Sequence, residues 1–118
     1  MIHVKFEFDD QRGSMTLRVK GHADQAVYGQ DIVCAAASIL STTLAQSLKV
    51  DRTADRLRRE PRIKFPKPGD ALITAFPKEE YKQIVLTEFL MAKSGFLLLA
   101  YNYPQYVMLE EDDITPQG

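Results

Sequence analysis

From its second residue the chain alternates without a break. Ile2, Val4, Phe6 and Phe8 fall on one side of an extended backbone, and His3, Lys5, Glu7 and Asp9 on the other. A period of two is the pattern of a strand with one buried face. Asp9-Asp10-Gln11-Arg12-Gly13 then supplies turn chemistry, after which Met15, Leu17 and Val19 alternate with Thr16, Arg18 and Lys20. The two runs predict an antiparallel hairpin with one wet face.

The period then changes. Ile32, Ala36, Leu40, Leu44 and Leu48 recur every four residues, with Val33, Ile39 and Ala45 broadening the stripe, which predicts a helix from about 30 laid on the sheet. Residues 49–67 carry Lys49, Arg52, Arg56, Arg58, Arg59, Arg62, Lys64 and Lys67 against Asp51, Asp55 and Glu60, a local charge of about +5. Pro61, Pro66 and Pro68 discourage helix there, so an irregular connection with a short strand at 63–65 is expected. Pro68-Gly69-Asp70 reads as a turn into a strand over 71–76.

Pro77-Lys78-Glu79-Glu80 opens a second helix, with Pro at a tolerated position and acids in the first turn. Gly95 is either its C-cap or an interior glycine. The apolar rows stay in phase across it, with Leu86, Leu90, Leu97 and Tyr101 in the buried stripe, so one long helix ending near Asn102 is preferred. Phe76, Phe96 and Tyr101 are expected in the core. A last strand over 106–109 precedes acidic residues 110–113 and a frayed tail. No repeat or linker divides the chain. The fold class is α+β, a single domain over 1–118 with two helices on one face of a mostly antiparallel sheet of four to five strands.

The net charge of −1 leaves no global basic field, and 45% hydrophobic with 26% charged residues is ordinary globular composition. A single cysteine permits no intrachain disulfide and suits a reducing compartment. The start of the chain is no signal peptide, and the longest apolar run, 96–101, is far short of a bilayer. A cytoplasmic protein with no membrane segment follows. One cysteine and two histidines on different elements give no zinc spacing, and there is no glycine-rich phosphate loop, so no metal and no cofactor are expected.

Residues 21–41 hold the cysteine, Cys34, and a histidine, His22. Gly21 closes the second strand, and Gly29 separates a polar loop from the helix. Cys34 is thereby expected near a helix N-terminus, where unpaired N–H groups and the dipole favour a thiolate. His22, on a loop returning over the helix start, is placed to take and return a proton. The plain alternatives are a small core cysteine and a loop histidine satisfied by backbone or water. Asp31, Cys34, Ser38 and Ser41 are expected to share one helix face. Asp31 either orients His22 or caps the helix, capping being preferred. Ser38 either bonds near the thiolate or returns a bond to a carbonyl. Gly21 and Gly29 are possible hinges, Tyr28 a possible substrate contact, and the N–H groups of Cys34 and its neighbours the candidates for an oxyanion site.

Gly21-His22-Ala23, Tyr28-Gly29, Asp31-Ile32-Val33-Cys34-Ala35-Ala36 and Ser38 together resemble the signature of the ribosomal-processing cysteine protease family, Prp. The signature covers about a fifth of the chain. The resemblance implies a cytosolic endopeptidase, usually a homodimer, that trims a short N-terminal extension from large-subunit ribosomal protein twenty-seven. His22 and Cys34 would be its catalytic pair, with Gly21, Asp31 and Ser38 as active-site members. Two rivals stand beside it. One is a non-enzymatic ribosome-assembly factor that binds RNA through residues 49–67; the other is a protease of the same chemistry with another substrate, such as a phage protein.

Overall fold

A computed structural model describes residues 1–21, 28–67 and 69–110. Strands β1 (Ile2–Asp9) and β2 (Ser14–Lys20) pair antiparallel with Phe6 opposite Leu17 and Phe8 opposite Met15, as the alternation requires. Gly13 takes φ +61° in the turn between them. Strands β3 (Arg62–Lys64), β4 (Ala71–Ala75) and β5 (Val107–Leu109) complete a sheet of order β3-β4-β2-β1-β5. Every pairing is antiparallel except that of β1 with β5, so the sheet is mixed. The short strands begin or end within a residue of their predicted bounds.

Helices α1 (Tyr28–Thr53) and α2 (Lys82–Asn102) share one core with the inner side chains of the strands. Val4, Phe6, Leu17 and Ile73 from the sheet meet Val33 and Leu48 from α1 and Val85, Phe89 and Phe96 from α2, all fully buried. Burying side chains of this size stabilises the fold by roughly 1.5–3 kcal/mol each. Phe6 and Phe96 meet edge to face, with ring centres 6.1 Å apart. By length and composition alone both helices are long and apolar enough to cross a membrane; here each lays a face on the sheet.

Helix α1 starts two residues earlier than expected and runs five residues into the basic stretch. Its buried row is Val33, Ala37, Leu44, Ala45 and Leu48, whereas Ile32 and Ile39 are exposed. The reason is geometric. A strict four-residue row turns about 40° per step on a helix of 3.6 residues per turn, and so leaves the core face within a few steps. Helix α2 is continuous through Gly95, but Leu90, Leu97 and Tyr101 are exposed, Tyr101 by 85%. Its buried row, Val85, Phe89, Ala92, Phe96 and Leu99, keeps steps of four and three.

Gly95 is where the helices touch. A Cβ there would stand 2.5 Å from Leu40 Cδ2 of α1, with the rest of that isobutyl group close behind. The close approach explains why an interior glycine, costly to helix propensity, is kept. Gly95→Val is expected to lose about 1–3 kcal/mol through overpacking, read as a lower Tm. An unchanged Tm would mean that Leu40 swings aside freely.

Between the helices lies an acid pair, Asp51 buried and Glu88 half-buried. Asp51 is fully buried, and Arg56 donates through Nη1 to its Oδ1 at 3.0 Å. Asp51 Oδ2 and Glu88 Oε1 are also buried, and with both carboxyls ionised neither oxygen has a hydrogen-bond donor. Burial first, then the hydrogen bond and the charge of Asp51, push the Glu88 carboxyl up to about 8, against the opposing pull of Arg56. Glu88 therefore keeps its proton at neutral pH and donates it to Asp51. Since its folded pKa lies above the unfolded value of 4.5, this contribution is full below about pH 4.5 and is lost as pH rises through about 8. Half-exposed, it is worth on the order of 1 kcal/mol after solvent screening. Tm is expected to fall between about pH 6 and 9 in the native chain and to fall less in Glu88→Gln; parallel curves would refute the protonated pair.

Candidate active site

Strand β2 delivers the chain to Gly21, whose φ of +100° suits glycine and whose position leaves no room for a Cβ, which would run into the Met1 carbonyl oxygen. The N–H of Gly21 donates to Asp70 Oδ1 at 3.1 Å, tying the exit of β2 to the β3–β4 turn. That is a structural reason for the first residue of the motif. His22 lies outside the described residues.

Tyr28 and Gly29 are the first two residues of α1 rather than parts of the preceding loop, which corrects the reading of Gly29 as the boundary. Asp31 is the fourth helical residue, beyond the cap position. Cys34 is the seventh, in the second turn. The field of a helix end fades within the first turn, so Cys34 lies beyond its main reach. The N–H of Cys34 likewise pairs with the carbonyl four residues back, which moves the unpaired backbone donors from Cys34 to residues 28–31.

The Cys34 side chain is free and half-buried, packed against the core without being sealed by it. One turn on, Ser38 is exposed, and its carbonyl accepts a hydrogen bond from Thr42 Oγ1 at 2.8 Å. Ser41 does not share that exposure. It is buried, and its Oγ donates to the Ala37 carbonyl at 2.9 Å, because the helical turn carries it toward the core.

Beyond Cys34, on the same side of α1, a cleft of about 430 Å³ opens between Ala37, Ser38 and Ser41 and the β3–β4 connection, where Phe65, Asp70 and Ala71 line it. Two of these were not singled out in the sequence. Phe65 was expected to end a strand, but β3 stops at Lys64 and leaves the ring half-exposed in the cleft. Asp70 reads locally as a turn residue; only the fold shows that it holds Gly21. The signal for Phe65 is the proline that follows it, which breaks the strand beside an aromatic side chain. Among the described residues no three of His, Cys, Asp and Glu gather as metal ligands. A half-buried thiol one helical turn from a cleft with apolar and polar walls can attack a bound carbonyl once a base takes its proton.

Known structures share this architecture. The essential ribosomal processing protease Prp from S. aureus, in complex with a substrate peptide, is 22% identical with a TM-score of 0.66, over 93% of this chain and 98% of that one. SMU.848 from Streptococcus mutans is 29% identical with a TM-score of 0.65, over 93% and 92%. The S. aureus protease with a covalently linked product peptide gives 23% and 0.64, over 93% and 98%. No curated protein matches the sequence. The family model described as cysteine protease Prp matches residues 1–108, from the first residue into β5. With nearly all of the described fold inside that match, the chain belongs to the Prp family of cysteine proteases.

Proposed function

We infer that the protein is a cytoplasmic endopeptidase that removes a short N-terminal extension from large-subunit ribosomal protein twenty-seven, with Cys34 as nucleophile and His22 as general acid and base. The observation that carries the reading is the half-buried Cys34 thiol on the side of α1 that continues into the Ser38, Phe65 and Asp70 cleft. Family membership supports cysteine chemistry, and the S. aureus relatives are ribosomal processing proteases seen with a substrate and with a covalently linked product.

The extension lies extended beside α1, with an apolar side chain against Phe65 and Ala71. His22 takes the Cys34 proton as sulfur attacks the scissile carbonyl carbon. The tetrahedral oxyanion is met by unpaired N–H groups at the start of α1, and the leaving amine receives the proton from His22. Water, deprotonated by His22, then hydrolyses the thioester and frees the sulfur. No cofactor is needed for these steps. Incubation with the full-length ribosomal protein of the same organism is expected to yield a product lighter by the extension. An unchanged mass, with another protein cleaved instead, would keep the chemistry and reject the substrate.

The enzyme is proposed to act as a homodimer joined through α2. Ile84, Met91 and Leu98 are exposed by 45%, 71% and 64% and recur every seven residues along the outer side of that helix, with Thr87, Ser94 and Tyr101 between and beyond them. An apolar seam of that period packs against its own copy. Leu98→Glu is expected to convert the dimer to monomer in sedimentation; an unaltered dimer would place the interface elsewhere.

A further inference from the structure

The basic stretch 49–67 does not form one patch. Arg52 is held by Glu60 at 3.0 Å, and Arg56 turns inward to Asp51. Arg58 clamps the β1–β2 turn, donating to the carbonyls of Arg12, Gly13 and Pro77. Lys67 lines the cleft beside α1, whereas Arg58, Arg59 and Arg62 meet residues from elsewhere in the chain on the sheet face opposite the helices. There, register places Glu7, Thr16, Thr74 and Arg62 in one row across four strands. Around this row a broad groove of about 600 Å³ is lined by Arg12, Arg18, Arg58, Arg59 and Arg62. Its acids are Glu7 and Asp9, engaged by Arg18 and Arg12, so the groove keeps an excess of positive charge.

We propose that this groove is a binding site for single-stranded RNA, separate from the Cys34 cleft. Every cation lining it is arginine, whose planar fork matches phosphate oxygens and whose flat face stacks on rings. Arg59 lies 3.7 Å over the Phe76 ring, which holds the guanidinium in place, and as an exposed residue it offers its outer face to a base. Thr16 Oγ1 and Thr74 Oγ1 are 3.0 Å apart in the middle of the row. One hydroxyl donates to the other, and the accepting one keeps a hydrogen for a ribose 2′-hydroxyl. No helix or ribbon projects from the described part of this face to enter a duplex groove, so the partner is a strand with its bases splayed. An acidic peptide would satisfy the forks but would leave the stacked face and the hydroxyl pair unused.

The site does not depend on the protease reading, and its test reads no cleavage. Fluorescence anisotropy on the full chain would compare a short labelled RNA of mixed sequence, DNA of the same sequence and a glutamate-rich peptide, between about 50 and 200 mM salt. Arg59→Gln combined with Arg62→Gln is expected to weaken RNA binding about tenfold at low salt and to flatten its log–log salt slope by about 1.4. Arg62→Gln alone, on the exposed edge strand, should flatten it by about 0.7 and guards against any effect of losing the Arg59–Phe76 stack. Unchanged slopes in both variants, absence of RNA binding at low salt, equal affinity for DNA, or tighter binding of the peptide would each overturn the proposal.

Discussion

Replacing Cys34 with alanine is expected to bring cleavage of an extension peptide down by about 10⁴-fold or more, to the rate of the uncatalysed mixture. The whole covalent route depends on one sulfur, and no second cysteine exists to substitute for it. Because the side chain is half-buried and small, its loss should change stability little; Tm should stay within a few degrees of the native value. That pairing separates catalysis from folding. Turnover at the native rate by purified Cys34→Ala would remove Cys34 from the mechanism, and a core role alone would instead show as lower Tm with activity kept.

His22→Ala should lower kcat/KM by about 10²–10⁴-fold while leaving peptide binding close to normal. A histidine that serves as acid and base gives rate against pH a bell shape, with one limb near its ordinary pKa of about 6.5. In the variant that limb should vanish from the residual rate. Since α1 begins at Tyr28 and Cys34 lies in its second turn, the proposed mechanism rests on His22 rather than on the helix end. A limb near 6.5 that persists in His22→Ala would assign the titration to another group, for which His3, on the outer side of β1 beside Glu110 at 3.8 Å, has no access to the Cys34 side of the fold.

Much of this fold was legible because its strands have one wet face. Alternation in residues 2–20 fixes both the hairpin and which side chains are inside, and a slip by one residue would have turned Phe6 and Leu17 into solvent. Helix α2 was legible across Gly95 because phase is a property of the whole segment. Which stripe faces inward was harder: Ile32, Ile39, Leu97 and Tyr101 are apolar yet exposed, because much of any folded surface is still apolar. Parallel pairing of β5 beside β1 has no local signal, since it joins chain segments about a hundred residues apart.

For the site, the short motif around Cys34 stands out in the sequence, while its structural support does not. Gly21 looked like a strand terminator and proves to be a point of backbone contact with Met1; Asp70 looked like turn material and proves to anchor Gly21 from a distant connection. The basic stretch misled in a similar way. Its charges were counted along the chain, but the sheet sends some inward and joins Arg59 and Arg62 to Arg12 and Arg18.

The most direct test of the mechanism is the intact mass of the protein after rapid acid quenching during cleavage of the extended ribosomal protein. The account predicts a transient species heavier by the extension less one water, mapped to Cys34 as a thioester and absent from Cys34→Ala. Mature product released with no such species on Cys34, or at the same rate from Cys34→Ala, would contradict it.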